Sequence, residues 1–160
     1  MDLKQIYKAN KSEELIENKI QIVSFLLGVE EFGIDILNVQ EIIKPVFITR
    51  VPNSSEFIDG VINLRGKIIP VINLRKRLDM DDIEITNTSR IIVVKVENNV
   101  VGFNVDLVNE VNRIDKNILE ETPKSFNSKI YEFTSHIAKF EDKLIIFIDL
   151  QKLLNSLQED

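Results

Sequence analysis

Residues 91–111, "IIVVKVENNVVGFNVDLVNEV", decide the fold, because residues 22–42, "IVSFLLGVEEFGIDILNVQEI", carry nearly the same pattern 69 positions earlier. Gly33 falls on Gly102, Val39 on Val108 and Glu41 on Glu110, while Asp35, Ile36 and Ile42 fall on Asn104, Val105 and Val111. A second pair follows at a shift of 76: "KIIPVINLRKRL" (67–78) falls on "KLIIFIDLQKLL" (143–154). The seven extra residues belong to the long connection around Pro123. Order is kept in both pairs, so the chain reads as two copies of one β unit of about 65 residues. A unit that short buries too little surface to stand alone, and the two copies are expected to pack together.

Inside each copy the pattern is that of strands. "IQIVSFLLGVEEFGID" (20–35) gives two apolar runs separated by a Gly-Val-Glu-Glu turn region, and "IIPVINL", "RIIVVKVENNVVGFNV" and "KLIIFIDL" read the same way. Glu97–Asn99 is a tight-turn sequence, since Asn tolerates positive φ. Convincing helical spacing occurs at the C-terminal end, where Leu150, Leu153, Leu154 and Leu157 share one face. Many short strands with turn signals point to an all-β barrel or sandwich architecture. The expected division is an N-terminal extension over 1–18, a first β subdomain over 19–86 and a second over 87–160 with the C-terminal helix. In the extension, "SEELIEN" predicts a turn or two of helix capped by Ser12.

Bulk properties narrow the function. The chain is 160 residues long and 44% hydrophobic, enough apolar material for a real core. A net charge of −6 with dispersed lysines and arginines argues against a nucleic-acid partner, which requires a basic face. There is no cysteine, so disulfides and thiolate metal sites are excluded. The charged N-terminus lacks the apolar core of a signal peptide, and no run of roughly 18 apolar residues exists. A cytoplasmic protein is expected.

One tetrapeptide occurs twice within 14 residues. Ile62–Arg65 and Ile72–Arg75 both read Ile-Asn-Leu-Arg. Arg75 falls on Gln151 at the start of a helical turn in both copies, which predicts a solvated helix residue. Asn63-Leu64-Arg65-Gly66 falls on Lys139-Phe140-Glu141-Asp142 and is not kept. A feature needed only for folding should recur, so Arg65 becomes a candidate for function.

"FGIDILNVQEI" followed by "VPNSSEFIDGVINLRGKIIPVINLRKRL" resembles the CheW family, the coupling proteins of bacterial chemotaxis. The resemblance runs from about Ile20 to Leu154, and "VQEI", "FIDGVINLRG" and "PVINLR" at fixed spacing carry it. It implies two SH3-like five-stranded barrels with an apolar groove between them. It implies no catalysis and no cofactor or metal. It further implies a bridge between the cytoplasmic tip of a chemoreceptor and the regulatory domain of the histidine kinase CheA, at membrane-associated arrays without membrane insertion. The matched motifs place Val39, Glu41, Ile42 and Arg65 in the receptor-binding region, with Val108 and Val111 on the opposite wall. Glu41 is the expected partner of Arg65. Four aliphatic side chains at roughly 1.5–3 kcal/mol each when fully buried would supply most of a micromolar affinity. The N-terminal extension and Ser54-Ser55, where relatives often carry another proline, depart from the family pattern.

Other classes fare worse. His136 is the single histidine, in a strand-like context that predicts a structural role. "DMDDIE" (79–84) lacks the spacing and glycine of a calcium loop and reads as a solvated acidic loop. No Gly-rich phosphate loop is present. An adaptor of another chemosensory pathway, such as one controlling pilus motility, would use the same fold and groove. A small-molecule-binding barrel is a more distant alternative.

Overall fold

Two curled sheets share the strands of the chain, and neither corresponds to one half of it. The computed structural model describes residues 3–5, 18–125 and 128–158; the helical turn expected at Ser12 lies outside them. The first repeat supplies β1 (Lys19–Leu27), β2 (Glu30–Asp35), β3 (Val39–Ile43), β4 (Ile58–Leu64), β5 (Lys67–Ile72) and helix α1 (Leu74–Arg77). The second supplies β6 (Arg90–Val96), β7 (Asn99–Val105), β8 (Leu107–Asp115), β9 (Leu119–Glu121), α2 (Lys129–Glu132), β10 (Thr134–Phe140), β11 (Lys143–Ile148) and α3 (Leu150–Gln158). One sheet has the order β8-β1-β2-β11-β10-β9, the other β3-β6-β7-β5-β4.

Each SH3-like barrel therefore combines the first hairpin of one repeat with the later strands of the other. The expected division at residue 86 does not separate the barrels. The exchange obeys the repeat to the residue: Val39 pairs with Val94 as Val108 pairs with Phe25, and Ile42 with Ile92 as Val111 with Val23. The parallel contacts match too, Val71 facing Gly102 and Phe147 facing Gly33. The chain crosses between barrels at Ile36–Asn38 and returns at Asp106, between β7 and β8. Instead of five strands, the first sheet has six, because β9 adds a short edge strand to β10.

Three apolar clusters explain why the strands read as unbroken hydrophobic runs. Side chains alternate faces along a strand. In β6, Ile91 and Val93 point into their own barrel with Ile62, Ile69 and Val71, while Ile92 and Val94 point into a larger core shared by both barrels. In β11, Ile145 and Phe147 fill the other barrel, and Ile146 and Ile148 join the shared core. A strand buried on both faces needs apolar residues at every position. Phe25 anchors the shared core, stacked on Phe32 with ring centroids 5.7 Å apart and tilted against Phe103 at 5.8 Å. Leu150, Leu153 and Leu154 of α3 close it, as their spacing predicts. The recurring Gly33 and Gly102 mark equivalent tight places, where an added Cβ would lie 3.0 Å from Ile145 and from Ile91.

The β6–β7 turn departs from expectation in detail. Its positive φ falls on Glu97 (φ 56°), the counterpart of Gly28 (φ 63°) in the first repeat, and not on either asparagine. Among the described residues, no helix is long and apolar enough to cross a membrane.

Candidate functional site

The site is built where the two barrels' edge strands flank the shared core. β3 is the outermost strand of one sheet and β8 of the other. Because Val39 and Ile42 pair with Val94 and Ile92, they stand on the shared-core face of their sheet. Val108 and Val111, paired with Phe25 and Val23, stand on the same face of theirs. Val39 and Val108 pack partly buried against that core. Ile42 and Val111 remain 38% and 49% exposed. The four thus form two repeat-equivalent pairs, an inner one resting on the core and an outer one facing solvent.

Glu41 sits beside this set on the opposite face of β3, across from Val93. Its Oε2 lies 3.1 Å from Arg65 Nη2, so the expected ion pair is present. Oε1 is buried with no hydrogen-bond partner among the described residues. The guanidinium comes from the turn between β4 and β5. Leu64 pairs with Lys67, leaving Arg65 (φ 52°) and Gly66 (φ 81°) as a two-residue turn with both φ positive, as a type I′ turn requires. Asn63 Oδ1 accepts the Gly66 N–H at 3.1 Å and stiffens it. The second repeat keeps this turn in backbone only: Glu141 (φ 50°) and Asp142 (φ 62°) occupy it. What the second copy lacks is the cation, not the geometry.

Arg75 contradicts the expectation of a solvated residue. Its side chain is 12% exposed and its guanidinium forks onto Asp106, Nη2 to Oδ2 and Nε to Oδ1 at 3.2 Å, while Nη1 donates to the Asp81 carbonyl at 2.7 Å. Alignment with Gln151 misleads because Asp106 has Leu37 as its counterpart, so Gln151 and Leu37 cannot form the equivalent salt bridge. His136 does lie on a strand, β10 opposite Glu121, but is exposed. In the acidic loop, Asp82 accepts from the Asn73 amide at 3.5 Å, and among the described residues no group of three or more His, Asp or Glu is arranged to hold a metal.

Sequence reasoning passed over Arg77. Its guanidinium lies between the rings of Phe57 and Phe133, 4.5 and 4.4 Å from their centroids, and Nε donates to Ser156 Oγ at 2.8 Å. Phe57 and Phe133 are themselves equivalent at the shift of 76, which was the available signal. The clamp joins α1 to α3 across the repeats.

Comparisons with known proteins converge. A model of the CheW-like domain matches residues 21–158. The chemotaxis protein CheW of Helicobacter pylori is 32% identical over 146 residues, covering 91% of this chain and 88% of that one. CheW of Thermotoga maritima is 36% identical over 139 residues, covering 87% and 90%. The crystal structure of the scaffolding protein TtCheW from Thermoanaerobacter tengcongensis superposes with a TM-score of 0.76 at 45% identity, over 81% of this chain and 88% of that one.

Proposed function

The chain belongs to the CheW-like domain family, and from that premise we propose that it is a chemotaxis coupling protein, a scaffold and not a catalyst, which joins chemoreceptor tips to the histidine kinase CheA in cytoplasmic, membrane-associated arrays. The observation that supports this reading best is the repeat-equivalent set Val39, Val108, Ile42 and Val111, with Arg65 and Glu41 on its rim. An apolar stripe of a receptor helix suits such a surface. Two such edge strands, one from each barrel, offer one apolar strip for each helix of a helical hairpin.

The magnitudes revise one expectation. Val39 and Val108 already rest on the shared core, so covering the outer pair supplies most of the new burial, about 1 kcal/mol for each of Ile42 and Val111. A micromolar affinity needs about 8 kcal/mol beyond the cost of association. The four aliphatics therefore give the groove its apolar character, and contacts at the rim, where Arg65 is 82% exposed, must add to them.

Kinase binding uses a separate surface, because a bridge must hold both partners at once. The test is a pull-down with a receptor cytoplasmic fragment and with the kinase regulatory domain. Val108→Glu should cut receptor binding by more than about tenfold and leave kinase binding near its starting value. Equal loss of both from a folded variant would overturn the assignment of the groove.

A further inference from the structure

We propose that Asp106 and Arg75 are positioning residues for one wall of the groove: they set the seating of β8, and so of Val108 and Val111, without contacting a partner. The proposal rests on the groove reading above for its functional part. Asp106 is the one residue between Val105, where β7 ends, and Leu107, where β8 begins. The chain leaves one barrel for the other at this point. Its backbone N–H donates to the Leu26 carbonyl at 3.0 Å and its carbonyl accepts from Thr88 Oγ1 at 2.8 Å. Its carboxylate accepts the Gly28 N–H at 2.6 Å, from the turn that follows β1, and both arms of the Arg75 fork.

β1 is the strand on which β8 lies, with Leu26 opposite Leu107 and Phe25 opposite Val108. One carboxylate therefore ties the end of β1 to the start of β8, and Arg75 fixes that carboxylate from α1. A slip of one residue at this start would turn Val108 and Val111 away from the shared-core face. The other crossing is held differently. There Leu37, the counterpart of Asp106, is 88% exposed, and Asp35 caps a short 3-10 turn by accepting the Leu37 N–H at 2.9 Å. Loosening the Asp106 joint should disturb the β8 wall and spare the β3 wall, which serves as an internal control.

The experiment uses the full chain with methyl-labelled valine and isoleucine, comparing Asp106→Asn, Arg75→Gln and Arg75→Lys by NMR and by binding to a receptor fragment and to the kinase regulatory domain. Asp106→Asn and Arg75→Gln should shift the Val108 and Val111 methyl resonances and leave those of Val39 and Ile42. Receptor affinity should fall about tenfold, kinase affinity should hold, and Arg75→Lys should recover part of the loss. Should Asp106→Asn fail to fold, Arg75→Lys, which keeps the charge without the planar fork, is read by the same signals. Unmoved Val108 and Val111 methyls in a folded variant, or equal movement on both walls, would overturn the proposal. Shifted Val108 and Val111 methyls with unchanged receptor affinity would uphold the positioning role and overturn the groove reading instead.

Discussion

Two copies of Ile-Asn-Leu-Arg, ten residues apart, begin alike and end as opposites. In both, the isoleucine is buried, Ile62 at 1% and Ile72 at 0% exposure. In both, the asparagine side chain accepts the N–H three residues on: Asn63 from Gly66 at 3.1 Å, Asn73 from Lys76 at 3.0 Å. From there the paths part. Gly66 takes a positive φ and the chain turns back as β5; Lys76 continues α1. Arg65 is left on an exposed hairpin tip, while Arg75 is carried inward onto Asp106. The tetrapeptide is a capping device with a buried anchor, and the backbone at its arginine, a turn at Arg65 and a helix at Arg75, decides where the arginine goes.

The comparison breaks most readily at Arg75. Removing one partner from a largely buried ion pair leaves a carboxylate uncompensated, and Arg75→Glu adds repulsion. The expected cost is about 3 kcal/mol or more, read as a lower urea midpoint with an unchanged slope. That reverses the sequence expectation of an indifferent residue at this position. If Arg75→Glu and Arg65→Glu unfold at the same urea concentration, the inward and outward arginines are not different in kind.

A smaller effect in another readout is expected for Arg65→Glu. Its exposed pair with Glu41 contributes about 0–1 kcal/mol to stability, so melting should barely move. Receptor binding should fall about tenfold, equivalent to about 1.4 kcal/mol. The charge swap of Arg65→Glu with Glu41→Arg should return part of that binding if the pair chiefly orients the rim. Recovery of nothing would mean that the guanidinium meets the receptor itself.

The finest cut separates the turn from its charge. Arg65→Asn places Asn-Gly, the preferred type I′ pair, in a turn that already has both φ positive. Stability should rise by about 0.5 kcal/mol while receptor binding falls as for Arg65→Glu or somewhat less. A loss of stability would show that Arg65 holds the turn as well as the rim.

The repeat was legible because equivalent positions carry equivalent constraints. Gly33 and Gly102 admit no larger side chain without displacing an isoleucine, and Val39 and Val108 share one register. The exchange of hairpins was not legible. Alternation and turn residues specify that β1 and β2 pair with each other, but the outer edges of a hairpin accept any strand of matching register. The apolar runs in β6 and β11 announced burial on both faces, yet could not say that the two faces meet different cores. Glu41 and Arg65 came from the resemblance to the CheW family, with Arg65 set apart as well by its absence from the second repeat. Arg75 was misjudged because its partner lies 31 positions away, at the one crossover where the repeats differ in chemistry.

The exchanged hairpins also bear on what the chain could lose and still assemble. A single repeat on its own owns a hairpin without a barrel to enter and a partial barrel without its hairpin, so its unmet needs are those of its twin. The fold has the form of a swapped dimer written on one polypeptide, with residues 81–88 as the tether. No strand pairing runs through that tether. Cleaved there, the two pieces would remain joined by the β1–β8, β2–β11, β3–β6 and β5–β7 ladders. Expressed apart, each would be an incomplete object whose natural complement is the other, which makes the tether the natural seam for a split reporter of assembly.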